Sequence, residues 1–216
     1  MLKIQRFIFN PFQVSTFVVY DTDSKEAVVV DPGMLQPYER AQFDEFIKNE
    51  GLRPTLVVNT HMHLDHCFGD NYVRSRYGVK VAASMEDDFL GRDLTRQASR
   101  FGIVLKDSDE GVKIDIPLAD GDTIDVGSYK LYVLAVPGHS PGSIALYSPE
   151  GPFVIAGDAL FKGSIGRTDL EGSDSPTLLR SIREKLYTLP AATTVLPGHD
   201  RFTTIGEEKA GNPYTL

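Results

Sequence analysis

Apolar positions along this chain come in short runs broken by polar turns, and the runs are rich in β-branched residues. Val14–Tyr20 and Ala27–Val30 read as strands joined by the turn Asp21-Thr22-Asp23-Ser24, and Asp31-Pro32-Gly33 ends the second. Residues 38–50 carry Phe43, Phe46 and Ile47 at helical spacing, with Gly51 as the stop. Leu56–Asn59 is a further strand, Gly69–Tyr77 a short helix closed by Gly78, and Val79–Ala83 a strand. Residues 85–111 are mixed and polar and read as helix and loop. Ile114–Leu118, Thr123–Val126, Lys130–Val136, Ser143–Tyr147 and Phe153–Ala156 follow as strands. A helix then opens at Ser175-Pro176, with Ser175 as N-cap, Pro176 as first helical residue, and Leu178, Leu179, Ile182 and Leu186 at helical spacing. Thr193–Leu196 is the last strand. Clusters of strands with a few helices between them suit an α/β fold of two packed sheets with helices on their outer faces, because each sheet must cover both sides.

Composition narrows the function classes. The length of 216 residues reads as one domain, 1–216. The formal net charge of −8, with no block of Lys and Arg, argues against a nucleic-acid partner. No apolar run reaches the ~18 residues of a membrane span. The N-terminus lacks the apolar core of a signal peptide. The single cysteine, Cys67, rules out a disulfide within the chain. A cytoplasmic location is the expectation.

The five histidines change the picture most. Three fall in Thr60-His61-Met62-His63-Leu64-Asp65-His66, and the others in Pro137-Gly138-His139 and Pro197-Gly198-His199. Each segment directly follows an apolar strand-like run, as does Gly157-Asp158. The ends of strands are where α/β sheets place ligand sites. A lone histidine or a lone Gly-Asp is usually structural, but a His-x-His-x-Asp-His cluster mainly serves metals. Imidazole and carboxylate suit zinc, iron or manganese. Seven N/O donors exceed the four of one tetrahedral zinc, and fit two divalent ions, zinc first, sharing a bridging carboxylate and water. Cys67 adjoins the cluster, but a sole cysteine is more often a packing residue, and it is not assigned.

These motifs resemble the metallo-β-lactamase superfamily over nearly the whole chain. The implied fold is a four-layer αββα sandwich with the metals at one sheet edge. The runs Pro137-Gly138-His139-Ser140-Pro141-Gly142-Ser143, Gly157-Asp158-Ala159-Leu160-Phe161 and Gly163-Ser164-Ile165-Gly166-Arg167, and the ending Thr204–Lys209 with Asn212-Pro213, are similar to short bacterial glyoxalase II-like proteins (hydroxyacylglutathione hydrolase-like). By that resemblance one metal takes His61, His63 and His139, the other Asp65, His66 and His199, and Asp158 bridges. Asp158 stands where two-zinc β-lactamases typically have cysteine, which argues against antibiotic hydrolysis. His63 stands where the flavo-diiron branch has glutamate. The helical C-terminal domain of typical glyoxalase II is not expected, because only 17 residues follow His199. His199-Asp200, with Asp where Gly is commoner in the short relatives, and Gly166-Arg167-Thr168-Asp169 are similar to the one-iron persulfide dioxygenase branch.

The expected reaction is hydrolysis of a small-molecule thioester such as S-D-lactoylglutathione. Two ions would lower the pKa of a shared water from ~15.7 toward ~7. A thiol with a reference pKa near ~8.5 can leave as thiolate. Asp65 and Asp158 are the expected catalytic carboxylates. The resemblance implies Arg167 as the contact of a substrate carboxylate, and Lys162 in the same loop is the companion expected with it, unless it is simply an exposed charge. The alternative is an oxidoreductase in which His61, His139 and Asp158 hold one Fe(II) for a persulfide dioxygenase reaction.

Overall fold

The computed structural model describes residues 1–105 and 111–216. The expectation for residues 85–111 therefore falls partly, at 106–110, outside the described residues. Among the described residues of 85–111 the chain makes a 3-10 turn at Met85–Asp87 and two short helices.

Continuous apolar runs have a simple origin here. Every residue of the strand Val14–Asp21 is buried, as are four of the five in Glu26–Val30 and all five in Phe153–Gly157. A strand buried on both faces reads as a solid hydrophobic run rather than an alternation. The first sheet carries β1 (Leu2–Phe9), β2 (Val14–Asp21), β3 (Glu26–Val30), β4 (Arg53–Val58), β5 (Lys80–Ala83) and β6 (Ile116–Pro117), in that spatial order. The next four strands are β7 (Thr123–Val126), β8 (Tyr129–Ala135), β9 (Ile144–Ser148) and β10 (Phe153–Gly157). A two-stranded hairpin of β11 (Leu160–Phe161) and β12 (Ser164–Ile165) follows, and then β13 (Thr194–Pro197) and β14 (Thr203–Thr204). The second sheet runs β14-β13-β10-β9-β8-β7.

Alternation along each strand divides the core into three. Phe17, Val19, Val28, Val30 and Val58 from one sheet meet Leu131, Val133, Leu146 and Ile155 from the other. Their neighbours Val18, Tyr20, Val29 and Val57 face outward, onto Phe43 and Ile47 of α1 (Pro37–Glu50) and Leu64 and Cys67 of α2 (Leu64–Cys67). Val73 of α3 (Asp70–Tyr77), Leu90 of α4 (Asp88–Gly91) and Leu94 and Ala98 of α5 (Leu94–Ser99) complete that layer. On the far side Val154, Ala156 and Val195 pack against Leu178 and Ile182 of α6 (Ser175–Glu184) and Ile205 of α7 (Ile205–Gly211). The result is the expected four-layer αββα sandwich.

The differences from the sequence reading are local. The edge strand β1 is absent from that reading: its Leu2/Ile4 alternation breaks at Arg6-Phe7-Ile8-Phe9, and only its pairing with β2 holds it extended. The cap of α6 is Asp174 rather than Ser175; its carboxylate accepts from Thr177 N at 2.9 Å, so Ser175 and Pro176 become the first two helical residues. Asp and Ser cap equally well, so the sequence alone does not choose between them. The run at Ile114–Leu118 pairs only over Ile116–Pro117, where the proline suits a sheet edge.

Candidate metal centre

Strand direction brings the histidine-bearing loops together. β8 and β10 both run antiparallel to β9, and β13 runs parallel to β10. The carboxyl ends of β8, β10 and β13 therefore share one edge, and they deliver His139, Asp158 and His199. From the first sheet, β4 ends at Val58 and feeds His61 and His63, while Asp65 and His66 lie in α2. Backbone bonds pin the two sheets together here: Ile144 N donates to Thr60 O at 2.8 Å and Ser15 N to Gly198 O at 2.6 Å; within the second sheet, Gly198 N donates to Gly157 O at 2.8 Å. Gly198 has to be glycine, because a Cβ at that position would overlap Asp158 Oδ1 and His66 Cε1.

All seven predicted ligands meet. Three overlapping triads, His61-His63-His139, His61-His66-Asp158 and Asp65-His66-His199, each offer donor atoms within 4.8 Å of one another. The outer two match the sets expected for two metals, and the middle one joins them through Asp158. His199 Nε2 lies 3.2 Å from Asp65 Oδ2 and 3.6 Å from Asp158 Oδ2, and His139 Nε2 lies 3.6 Å from the same Asp158 oxygen.

The opposite ring nitrogens are held by the protein. His139 Nδ1 donates to Arg167 O at 2.8 Å and His199 Nδ1 to Phe12 O at 3.0 Å. A carbonyl only accepts, so each contact fixes the proton on Nδ1 and leaves the Nε2 lone pair facing the centre. His66 Nδ1 donates to Asp31 Oδ2 at 2.9 Å. His63 is turned the other way, with Nδ1 2.9 Å from His139 Nε2. His61 Nε2, His66 Nε2 and Asp158 Oδ1 are buried with no hydrogen-bond partner. An unpaired buried polar atom costs roughly 1–3 kcal/mol. Three such atoms, two from the loop and helix after β4 and one from the end of β10, converge where a cation could be ligated by all of them.

Electrostatics agree. Burial drives the pKa of His61 well down, and burial with the nearby His139 takes His63 to about 3, so both rings are neutral donors. Burial opposes ionisation of Asp158, but the field of His66 outweighs it and holds the carboxylate well below its usual range. Burial likewise opposes the His66 imidazolium, yet Asp65, Asp31 and Asp158 hold its pKa well above the usual value. These surroundings are arranged for positive charge.

Two buried carboxylates outside the expected set support the centre. Asp31 sits in the left-handed region at φ 50° and accepts from Thr60 N and Thr60 Oγ1, both at 2.7 Å, as well as from His66. A non-glycine residue held there costs of order 1 kcal/mol and persists where its surroundings fix it. Asp-Pro-Gly after a strand was the available signal. Asp87 accepts from Met62 N at 3.1 Å, and from Ser140 Oγ and Gly142 N, both at 2.6 Å, so it ties the first histidine loop to the loop of His139. Nothing in the local sequence marks it. Cys67 is buried, and burial, reinforced by Asp70, pushes its thiol pKa well up.

The centre opens into a cleft of about 480 Å³. Phe12, Leu90, Phe101, Phe161, Ile165 and Leu170 form its apolar wall, and Arg96, Arg100, Arg167, Glu171 and Asp200 its charged lining. Lys162 is not among the lining residues, so the structure brings Arg167 to the cleft but not its expected companion. Among the described residues no helix is long and apolar enough to cross a membrane.

Comparison with known proteins places this geometry in a family context. The profile described as the metallo-beta-lactamase superfamily matches residues 9–199. The chain is 35% identical over 220 residues to hydroxyacylglutathione hydrolase GloC of Haemophilus influenzae, covering 99% of this chain and 98% of that protein. It is 32% identical over 213 residues to the mitochondrial persulfide dioxygenase ETHE1 of Homo sapiens, covering 96% and 74%. The crystal structure of BLEG-1 B3 metallo-beta-lactamase superposes with a TM-score of 0.89 at 33% identity, covering 99% of each chain. TTHA1623 in a di-iron-bound form superposes at 0.84 and 31%, covering 97% and 99%.

Proposed function

The chain belongs to the metallo-beta-lactamase superfamily, and on that premise we propose that it is a two-metal hydrolase that cleaves small thioesters of the hydroxyacylglutathione type. The observation that carries this reading is the convergence of seven donors in three overlapping triads, with buried atoms on His61, His66 and Asp158 that make no hydrogen bond. His61, His63 and His139 would hold one divalent ion, Asp65, His66 and His199 the other, and Asp158 both.

Bound there, such ions supply Lewis acidity toward a carbonyl and acidify water near neutral pH. The protein's part is orientation. Arg167 O and Phe12 O fix the tautomers of His139 and His199, and Asp31 holds the His66 ring. Asp65 and Asp158 bring negative charge that offsets the cations. All five histidines are committed as donors, so no side chain is left as a strong general acid for the leaving group. A thiolate leaves without one, its conjugate acid having a pKa near ~8.5. The apolar wall from Phe12 to Phe161 shields the reacting end from bulk water.

A second reading, a persulfide dioxygenase using one iron at His61, His139 and Asp158, has more support among the relatives. A persulfide dioxygenase is similar across nearly the whole chain, and the crystal structure of ETHE1 from Myxococcus xanthus superposes over 98% of it; the di-iron form of TTHA1623, by contrast, holds two ions. The two readings part on His63, Asp65, His66 and His199, which one-iron chemistry leaves without a metal. The experiment is metal counting on protein purified without chelators, with parallel assays on S-D-lactoylglutathione and glutathione persulfide. Near two ions per chain with thioester cleavage supports the hydrolase. Saturation at one iron with oxygen consumption on the persulfide replaces it with the dioxygenase. Cleavage of a β-lactam alone, the activity in the name of the BLEG-1 neighbour, overturns both.

A further inference from the structure

The rim of the cleft carries a cationic pair that neither the ligand motifs nor the family likeness accounts for. Arg96 lies in α5 and Arg100 caps its C-terminal end. Residues four apart share a helix face, and both arginines line the cleft. They converge on one acid: Arg96 Nη2 bonds Glu171 Oε2, and Arg100 Nη2 stands 3.5 Å from the same oxygen. Two guanidiniums on one carboxylate leave a positive charge in excess, and at 3.5 Å Arg100 is beyond an ordinary hydrogen bond.

The other cation lining the cleft is already occupied. Arg167 is held bidentate by Asp169, through Nε–Oδ1 and Nη2–Oδ2 contacts of 2.7 Å each. Asp65 and Asp158 face the metal centre. Asp200 lies beside Arg6, whose Nη2 donates to the Asp200 carbonyl at 2.5 Å. Between the centre and Arg100 runs apolar surface: Phe101, next in sequence, meets Phe12 edge-on at 5.1 Å, and the Phe12 carbonyl holds His199. The lining thus changes from metal donors to aromatic wall to cation.

We propose that Arg100, with Arg96, binds a free carboxylate on the thiol-carrier portion of the substrate, and that Glu171 competes for this pair as an internal stand-in for that carboxylate. The substrate class is then a thioester whose carrier is itself anionic, with the sulfur end at the metal centre and the carboxylate at the rim. This deepens the hydrolase reading and rests on it for the reacting end only. Guanidinium suits the task, because its planar fork matches a carboxylate in two hydrogen bonds. Exchanging the Glu171 carboxylate for a ligand carboxylate keeps the local charge balance, and so limits the desolvation cost of binding.

The test compares two thioesters with the same acyl group, S-D-lactoylglutathione and the lactoyl thioester of N-acetylcysteamine, which has no carboxylate. Arg100→Ala is expected to raise KM for the glutathione thioester roughly fivefold, the scale of one exposed ion pair, with kcat and the KM of the neutral thioester unchanged. Arg100→Lys restores part of the loss. Glu171→Gln is expected to act in the opposite direction, lowering KM for the glutathione thioester alone. Equal effects on both thioesters, or weaker use of the glutathione thioester in Glu171→Gln, overturn the proposal. Calorimetric binding of non-reacting S-methylglutathione separates this from failure of the hydrolase reading. Weaker binding to Arg100→Ala than to the parent protein supports the rim site even if no thioester is cleaved, and equal binding removes it.

Discussion

His61, His66 and His139 on the floor of the cleft are at most 3% exposed, whereas the Arg96, Arg100 and Arg167 side chains on its rim are 51%, 55% and 59% exposed. The floor is held by buried contacts between distant segments: Asp31 to Thr60 and His66, Asp87 to Met62 and Ser140, Phe12 O to His199. The rim is held by ion pairs in water, each worth at most about 1 kcal/mol. A buried polar bond cannot be traded for a water contact, so the floor has essentially one arrangement. A solvated ion pair exchanges readily with another ion, so the rim can adapt. On the proposed reading, reaction type belongs to the first region and substrate choice to the second.

The largest expected effect attacks the floor directly. Asp158→Ala removes the carboxylate placed between the two triads and should lower both metal content and turnover, the latter by more than about a hundredfold, since even outer partners of metal ligands are worth 10–100-fold. Normal metal content and turnover in the folded variant would remove Asp158 from the centre. One shell further out, Asp31→Ala is expected to weaken metal affinity by about 10–100-fold, read by competition with a chelator. Unchanged affinity would show that His66 is oriented without Asp31.

Asp87→Asn probes whether the floor is one unit. The carboxylate accepts from three donors, and an amide oxygen serves fewer of them, so a loss of about 1–3 kcal/mol in stability is expected. Turnover should fall with it while KM stays within about twofold, because the change displaces ligand loops rather than the rim. A rise in KM at constant kcat would place Asp87 with the rim instead. Arg167→Ala should behave in that second way, with KM rising a few-fold and kcat little changed. Its backbone carbonyl, which holds His139, survives the substitution. The smallest effect is expected for Cys67→Ser, which should leave turnover nearly unchanged, because burial keeps the thiol protonated and far from nucleophilic use. Abolished turnover in a folded, fully metallated Cys67→Ser protein would overturn the metal-centred reading of the reaction.

What the sequence by itself determined is what depends on neighbours along the chain. The His-x-His-x-Asp-His cluster, and the placement of His139, Asp158 and His199 just past apolar runs, marked the seven candidate donors that the fold brings together. Clusters of strands with helices between them suited two packed sheets covered on both sides, while the four-layer sandwich was implied by the family resemblance. The helix stops at Gly51 and Gly78, at φ 64° and 67°, were legible because the left-handed turn is a local demand on the backbone. Only the tertiary structure decided which ring nitrogen each histidine presents, because the groups fixing the tautomers are the Phe12 carbonyl, 187 residues from His199, and the Arg167 carbonyl, 28 from His139. It likewise singled out Asp31 and Asp87 among the acids and put Arg96 and Arg100 at the cleft in place of Lys162. Burial and charge pairing are properties of what surrounds a side chain, and for these residues the surroundings come from segments far away in sequence.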